Sequence, residues 1–209
     1  MRILIATDAW HPQVNGVVRT LTSLKKSASA LGADIQFLTP EGFPSIGVPT
    51  YPGLRVAWPN RREIARRIEA AAPEAIHIAT EGPVGWAAWA YCRRHKLAFT
   101  TSYTTRFPEY IAVRSIIPAG LTYAVLRHFH SAAAMTMVAT GSLYNELAAR
   151  GFRKLGFWGR GVDTGLFEPD HPAHLDLPRP IFMTMGRKRR RSRKNIPTSN
   201  FSAKRPARI

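Results

Sequence analysis

Short apolar runs alternate with amphipathic stretches along most of this chain. "RILIAT" is a short run of strand-forming residues, and "GVVRTLTSLKKSASALG" follows with Val17, Leu21, Leu24 and Leu31 at near-helical spacing. That pattern predicts a strand and then a helix stopped by Gly32. "ADIQFLTP" and "LRVAWP" predict two more strands, "RREIARRIEAAAP" a helix and "AIHIAT" a strand. "PVGWAAWAYCRRHK" predicts a helix with Pro83 in its first turn. "AFTTSY" and "MTMVAT" predict strands on either side of a helix at "LTYAVLRHFHSAA". "SLYNELAARG" then predicts a helix capped by Ser142 and closed by Gly151, with "KLGFWG" as a final strand. Strands alternating with helices argue for βαβ units, and the right-handed crossover preference makes the expected fold an α/β, doubly wound parallel sheet.

The pattern holds through residues 1–167 and then changes. A proline-rich stretch at 168–180 reads as a linker, and "IFMTMGR" at 181–187 reads as the first strand of another βα unit. Residues 188–209 carry no apolar period and read as a basic, disordered tail. The charge is divided in the same way. Of the net +17, the last 23 residues from Arg187 to Ile209 supply ten Lys/Arg and no acidic residue. The other 186 residues carry 20 basic and 13 acidic side chains, a net of +7, ordinary for a protein that meets phosphorylated partners.

A single cysteine, Cys92, excludes an internal disulfide and fits a reducing compartment. The start "MRILIATDAW" is too short an apolar run for a signal peptide, and no stretch approaches the ~20 apolar residues of a spanning helix. The expectation is a cytoplasmic protein, with peripheral contact at the inner face of a membrane open to it. The basic tail admits nucleic-acid binding as an alternative. It has only Phe201 to stack on bases, so a specific nucleic-acid partner is not expected.

Ligands of an open parallel sheet sit outside the carboxyl ends of its strands, and three loops there carry chemistry. In "TDAWHPQVNGVVRTL", Gly16 opens a helix where backbone N–H groups can approach a phosphate or sugar, although Asn15-Gly16 also reads as a plain cap and turn. In "ATEGPVG", Glu81 reads as a solvated carboxylate capping the next helix, and His77 upstream as a satisfied core histidine. In "TSYTTRFPEY", Tyr103, Thr104, Thr105 and Arg106 leave a strand together and offer hydroxyls and a guanidinium to a carbohydrate or phosphate. No metal-ligand spacing, nucleophile elbow, dinucleotide fingerprint or phosphate-binding lysine loop occurs. His128 and His130, two apart, would face different sides of a helix.

Together "TDAWHPQVNGVVRTL", "TSYTTRFPEY" and "GRGVDTGLFEP" resemble the N-terminal half of family 4 glycosyltransferases of the GT-B type. Within that family the resemblance is to bacterial GDP-mannose-dependent α-mannosyltransferases. It implies a Rossmann-like N-terminal, acceptor-side domain at 1–167 and a second, donor-binding domain of which only 181–187 is present. It also implies retaining hexosyl transfer from a sugar nucleotide, GDP-mannose, to a lipid or glycan acceptor, with no cofactor and no metal. Carried over by position, Gly16, Arg187 and Lys194 would bind the donor phosphates. Asp8, Asn15, Tyr103, Thr105 and Arg106 would line the acceptor side.

Two departures from the family bear on activity. Where the family reads "SYHTRFPEY", this chain has Thr104 in the place of a histidine near the reacting sugar, and threonine cannot titrate near neutral pH. Six residues separate Arg187 from the Lys194-Asn195 pair where the family has four, and fourteen residues follow that pair. The expectation is a truncated enzyme of reduced or no activity. A non-catalytic acceptor binder is the other outcome.

Overall fold

The computed structural model describes residues 1–47, 55–104, 118–159 and 161. The chain divides into two units, Met1–Val162 and Asp163–Ile209, and every described residue belongs to the first. The expected linker at 168–180, the strand at 181–187 and the tail at 188–209 lie outside the described residues.

The first unit opens with β1 (Arg2–Ala6), α1 (Gly16–Ser29) and β2 (Asp34–Leu38). Two short strands, β3 (Ser45–Gly47) and β4 (Arg55–Ala57), precede α2 (Arg61–Ala71), β5 (Ala75–Ile78) and α3 (Pro83–Arg94). After β6 (Thr100–Tyr103) come α4 (Ala119–Ser131), β7 (Met135–Val138), α5 (Gly141–Ala149) and β8 (Leu155–Phe157). Six strands form one sheet in the order β2-β1-β5-β6-β7-β8, and every pairing in it is parallel. This is the doubly wound sheet that the alternation predicts.

Period-2 alternation divides β1 between two cores. Leu4 and Ala6 pack with Ile64 and Ile68 of α2 and with Val84, Ala88 and Cys92 of α3. Ile5 on the other face packs with Leu21 of α1, Ile35 and Ala79. A third cluster joins Tyr103 and Val138 to Tyr123, Leu126 and Leu147 of α4 and α5. Helices therefore cover both faces, as a buried parallel sheet requires.

Three local expectations are corrected. Ser142 does not cap α5. Thr140, in extended conformation, accepts from the Leu143 N–H, and Ser142 lies inside the first turn against the Thr140 hydroxyl. Leu31 does not belong to the buried face of α1; it lies past the helix end and is 87% exposed. The stretch "LRVAWP" forms a strand as expected, β4, but it lies outside the main sheet. Its β4 pairs antiparallel with β3, which the three-residue run "SIG" does not announce. The third correction concerns Glu81 and is part of the site.

Candidate functional site

The strand order reverses between β1 and β5. The chain leaves β1 for β2 on one side and later returns to β5 on the other, so the loops after β1 and β5 diverge and leave a crevice. The side chain that organises this place is Asp8. Its Oδ1 accepts from the Val84 N–H at 2.8 Å, and its Oδ2 accepts from the Gly85 N–H at 3.1 Å and the Thr80 hydroxyl at 2.9 Å. The Asp8 N–H in turn donates to Thr80 Oγ1 at 2.7 Å. A carboxylate on the β1 loop thus caps α3 from across the sheet, beside the positive end of the helix dipole.

Two glycines make that approach possible. A Cβ at Gly82 would run into the Asp8 carboxylate, and one at Gly85 into the Thr80 carbonyl oxygen. The "EGPVG" spacing therefore carries a close-packing signal. Burial pushes the Asp8 carboxyl above its ordinary range, the Val84, Gly85 and Thr80 donors work against that rise, and the charge of Glu81 adds to it.

Glu81 is not solvated and does not cap α3. Its side chain is 3% exposed, and Oε1 lies 3.2 Å from Nε2 of His130, whose side chain is 1% exposed. His130 Nδ1 meets the Thr101 hydroxyl at 2.8 Å, and that hydroxyl meets Thr136 at 3.1 Å. A buried polar chain thus runs from β7 through β6 and α4 to the start of α3. The second carboxylate oxygen, Oε2, is buried and has no hydrogen-bond partner among the described residues. The capping role expected of Glu81 belongs to Asp8, and Glu81 meets the buried imidazole of His130 instead.

The opposite face of the same strands holds His77. Its ring nitrogens lie 2.8 Å from the Thr100 hydroxyl and 3.3 Å from the Ser102 hydroxyl, and Trp158 meets the ring edge-on. Burial lowers its pKa to about 4, so the ring is neutral at physiological pH. His77 is the satisfied core histidine that its strand context predicts. His128 and His130 do face different sides of α4, the first exposed and the second buried.

The loop after β1 ends on a local cap. Asn15 is extended, and its Oδ1 accepts from the N–H groups of Val17 and Val18, both at 3.0 Å. Its amide nitrogen donates to Gln13 Oε1. Gly16 is exposed in the first turn, where a peptide N–H has no intrahelical acceptor. Asn15 and Gly16 thus stand at the start of α1 and Asp8 at the start of α3, both beside the carboxyl end of β1.

At the end of β6, Tyr103 is 2% exposed, its ring packed edge-on to Phe152 and near His130. Thr104 follows half-buried. Thr105, Arg106, Arg187 and Lys194 lie outside the described residues. Among the described residues, no three His, Cys, Asp or Glu side chains gather as metal ligands.

Several residues that matter here escape a reading of local pattern. Thr7, Thr39, Thr80 and Thr140 each follow a strand, and all four hydroxyls accept hydrogen bonds that build the loops. The recurring "AT" and "LT" after strands was the available signal.

With this geometry in hand, comparison with known proteins decides the family. Residues 14–166 match Glycosyltransferase Family 4. The chain belongs to this family. A GDP-mannose-dependent alpha-mannosyltransferase of Mycobacterium tuberculosis is 23% identical over 188 residues, covering 81% of this chain and 50% of that protein. A sulfoquinovosyl transferase of Arabidopsis thaliana is 26% identical over 135 residues, covering 61% of this chain and 26% of that protein. The chain spans about half the length of the mannosyltransferases that it matches. Among solved structures, the sucrose-phosphate synthase of Thermosynechococcus elongatus superposes with a TM-score of 0.57 at 13% identity, over 79% of this chain and 49% of that one. That likeness shows the fold: the first unit has the Rossmann-like architecture of a GT-B half.

Proposed function

We propose that this chain forms the acceptor side of a retaining hexosyltransferase and that the sugar transferred is mannose from GDP-mannose. Family membership across residues 14–166 carries the reading. The mannosyl assignment draws on relatives from three bacteria that bear the same activity in their names. In the transfer, a lipid or glycan hydroxyl forms a bond to the anomeric carbon as the bond to the nucleoside diphosphate breaks. The acceptor proton is lost, and the leaving diphosphate needs positive groups and amide N–H donors around it.

Gly16 offers such an amide at the α1 N-terminus, and the basic side chains of Arg187 and Lys194 add charge. Asp8 and Asn15 serve the acceptor side by fixing the two loops that border the crevice. Thr105 and Arg106 serve it from the third, and Tyr103, buried against Phe152, serves it by fixing the end of β6. Thr104 can hold a sugar hydroxyl but cannot take up a proton near neutral pH, so turnover is reduced. That threonine also favours a second reading, acceptor binding without transfer.

The test incubates the full chain with GDP-mannose and a bacterial lipid extract and follows GDP release and mannolipid formation. Slow transfer that rises in Thr104→His supports the first reading. Lipid or mannoside binding without turnover supports the second. Transfer from another sugar nucleotide in preference to GDP-mannose removes the mannosyl assignment, and absence of both binding and turnover removes the proposal.

A further inference from the structure

Thr80 and Glu81 follow β5 as consecutive residues and serve different neighbours. The Thr80 hydroxyl holds Asp8 and with it the loop after β1. Glu81 Oε1 holds Nε2 of His130, 49 residues on in α4. Gly82, next in the chain, is the N-cap of α3. One short turn therefore fixes the loop after β1 on one side and α4 on the other.

His130 extends this fixing to β6. Its Nδ1 meets the Thr101 hydroxyl, so both ring nitrogens are held and the plane of the imidazole is set. The ring lies 5.8 Å from that of Tyr103, two residues beyond Thr101 on the same face of the strand. Phe152 packs against both, 5.9 Å from His130 and 6.0 Å from Tyr103. Thr104 follows Tyr103 directly. The imidazole thus stands behind the point where the chain leaves β6 for the acceptor side.

Stability does not account for this arrangement. The side chains of Glu81 and His130 are 3% and 1% exposed, and Glu81 Oε2 has no hydrogen-bond partner among the described residues. A buried ionisable pair replaced by apolar side chains of similar volume is often neutral or stabilising, because its desolvation is no longer incurred. A carboxyl group placed here with one oxygen unsatisfied costs the fold free energy. What it does that an apolar side chain cannot do is orient the imidazole.

We infer that Glu81 is a positioning residue for the acceptor, acting through His130 to hold the end of β6 and Thr104 in place relative to the loop after β1. The inference rests on the acceptor-side role proposed above. A merely structural role lowers the fraction of active chain, and so the maximal rate, with KM unchanged. A positioning role raises the KM for the acceptor and leaves that for the donor alone.

The experiment uses the full chain, GDP-mannose and graded amounts of the bacterial lipid extract, and reads the apparent KM for each substrate. Where the chain binds lipid without turnover, the apparent Kd for the extract takes the place of KM. The double variant Glu81→Leu/His130→Leu is expected to keep a melting temperature close to that of the wild type. Its acceptor KM rises roughly tenfold, the size of one hydrogen bond to an ionisable group, with the KM for GDP-mannose unchanged. Glu81→Gln, which keeps the shape and one acceptor oxygen, gives a smaller rise in the same constant.

A folded double variant with the wild-type acceptor KM overturns the inference and leaves the proposed function standing. Equal rises for both substrates overturn it as well, because the pair then serves the fold of the whole crevice. If the double variant does not fold, Glu81→Gln decides, and an unchanged acceptor KM there overturns the inference. A wild type with neither turnover nor lipid binding overturns the proposed function and this inference with it.

Discussion

Helices α1 and α3 flank the crevice at the carboxyl ends of β1 and β5, and their N-termini are completed in different ways. Asn15 caps α1 from the adjoining position, with one side-chain oxygen serving two N–H groups of the first turn. Gly82 precedes α3 without a side chain to offer, and the oxygens come from Asp8, 76 residues from Val84 in sequence. The local cap leaves its helix start exposed and open to a ligand. The remote cap uses the α3 N-terminus itself: a protein carboxylate occupies the place where a phosphate would otherwise sit. The two helix starts are therefore not equivalent anion sites. Of these two, the start of α1, at Gly16, is the one left open to the diphosphate that the proposed function requires.

The sharpest way to break the contrast is to push the β1 loop away from α3. Gly85→Ala places a methyl group against the Thr80 carbonyl, a backbone atom that cannot yield without moving β5. The expected destabilisation is about 4 kcal/mol, in the upper range for overpacking with lost hydrogen bonds. A glycine with open surroundings is the control: Gly141→Ala should change stability by less than about 1 kcal/mol in urea unfolding. Equal costs at the two positions would remove the close-packing argument.

Removing the remote cap itself is the next largest step. Asp8→Ala leaves the N–H groups of Val84 and Gly85 and the Thr80 hydroxyl without their acceptor, and should cost about 3 kcal/mol. Hydrogen exchange at Val84 and Gly85 should accelerate together with the loss of stability, while exchange at Val17 and Val18 stays at the wild-type rate. Acceleration at both helix starts would mean that the two caps are not independent.

How much of this was legible follows from the distance over which each interaction acts. The alternation of strands and helices, the glycine after α1 and the histidine within β5 are set by residues within one turn or one strand of each other. The readings "PVGWAAWAYCRRHK" and "AIHIAT" therefore match α3 and β5 closely. Glu81 was misread because, along the chain, it is the carboxylate nearest to α3. Its partner His130 is 49 residues away, and the true cap is supplied from β1. Strand β3 was missed because three residues contain no period. The polar face shared by His77, Thr100 and Ser102 needed the β5–β6 register, which no single segment contains. The three stretches that carry the family resemblance were readable as motifs. Their places in space became plain only for Asp8, Asn15, Gly16, Tyr103 and Thr104.

A smaller effect separates the strand leading to α3 from its surroundings through pH. His77, in β5, is neutral because burial lowers its pKa to about 4 from 6.5. Its folded pKa is depressed, so its contribution is complete above pH 6.5 and is lost as pH falls toward 4. By pH 5 the loss is about 2 kcal/mol on the linkage relation. His77→Gln keeps a polar partner for Thr100 and Ser102 without the titration. The stability difference between wild type and variant should therefore move against the wild type by that amount between pH 7 and pH 5. Asp8 works in the opposite direction. Its folded pKa is raised, so its contribution is present below 3.8 and is lost as pH rises through the folded value. A wild-type minus His77→Gln difference that stays flat across pH 7 to 5 would show that the ring is charged, or solvated, in the folded protein.

The smallest expected effect tests the local side of the comparison. Asn15→Ala removes one oxygen that serves Val17 and Val18 and should cost about 1 kcal/mol, the usual size for a helix N-cap open to water. Water can replace the lost acceptor because Gly16 and the start of α1 are exposed, whereas nothing replaces Asp8 beneath the β5 loop. Asn15→Asp should restore most of the stability, since aspartate caps as well as asparagine. It should also weaken any nucleotide diphosphate binding at Gly16 by placing a like charge beside it. Stability can be read from urea midpoints and binding from GDP titration of the same two variants. Recovery of stability with unchanged GDP affinity would separate the α1 start from the diphosphate and leave it, like the start of α3, a structural cap alone.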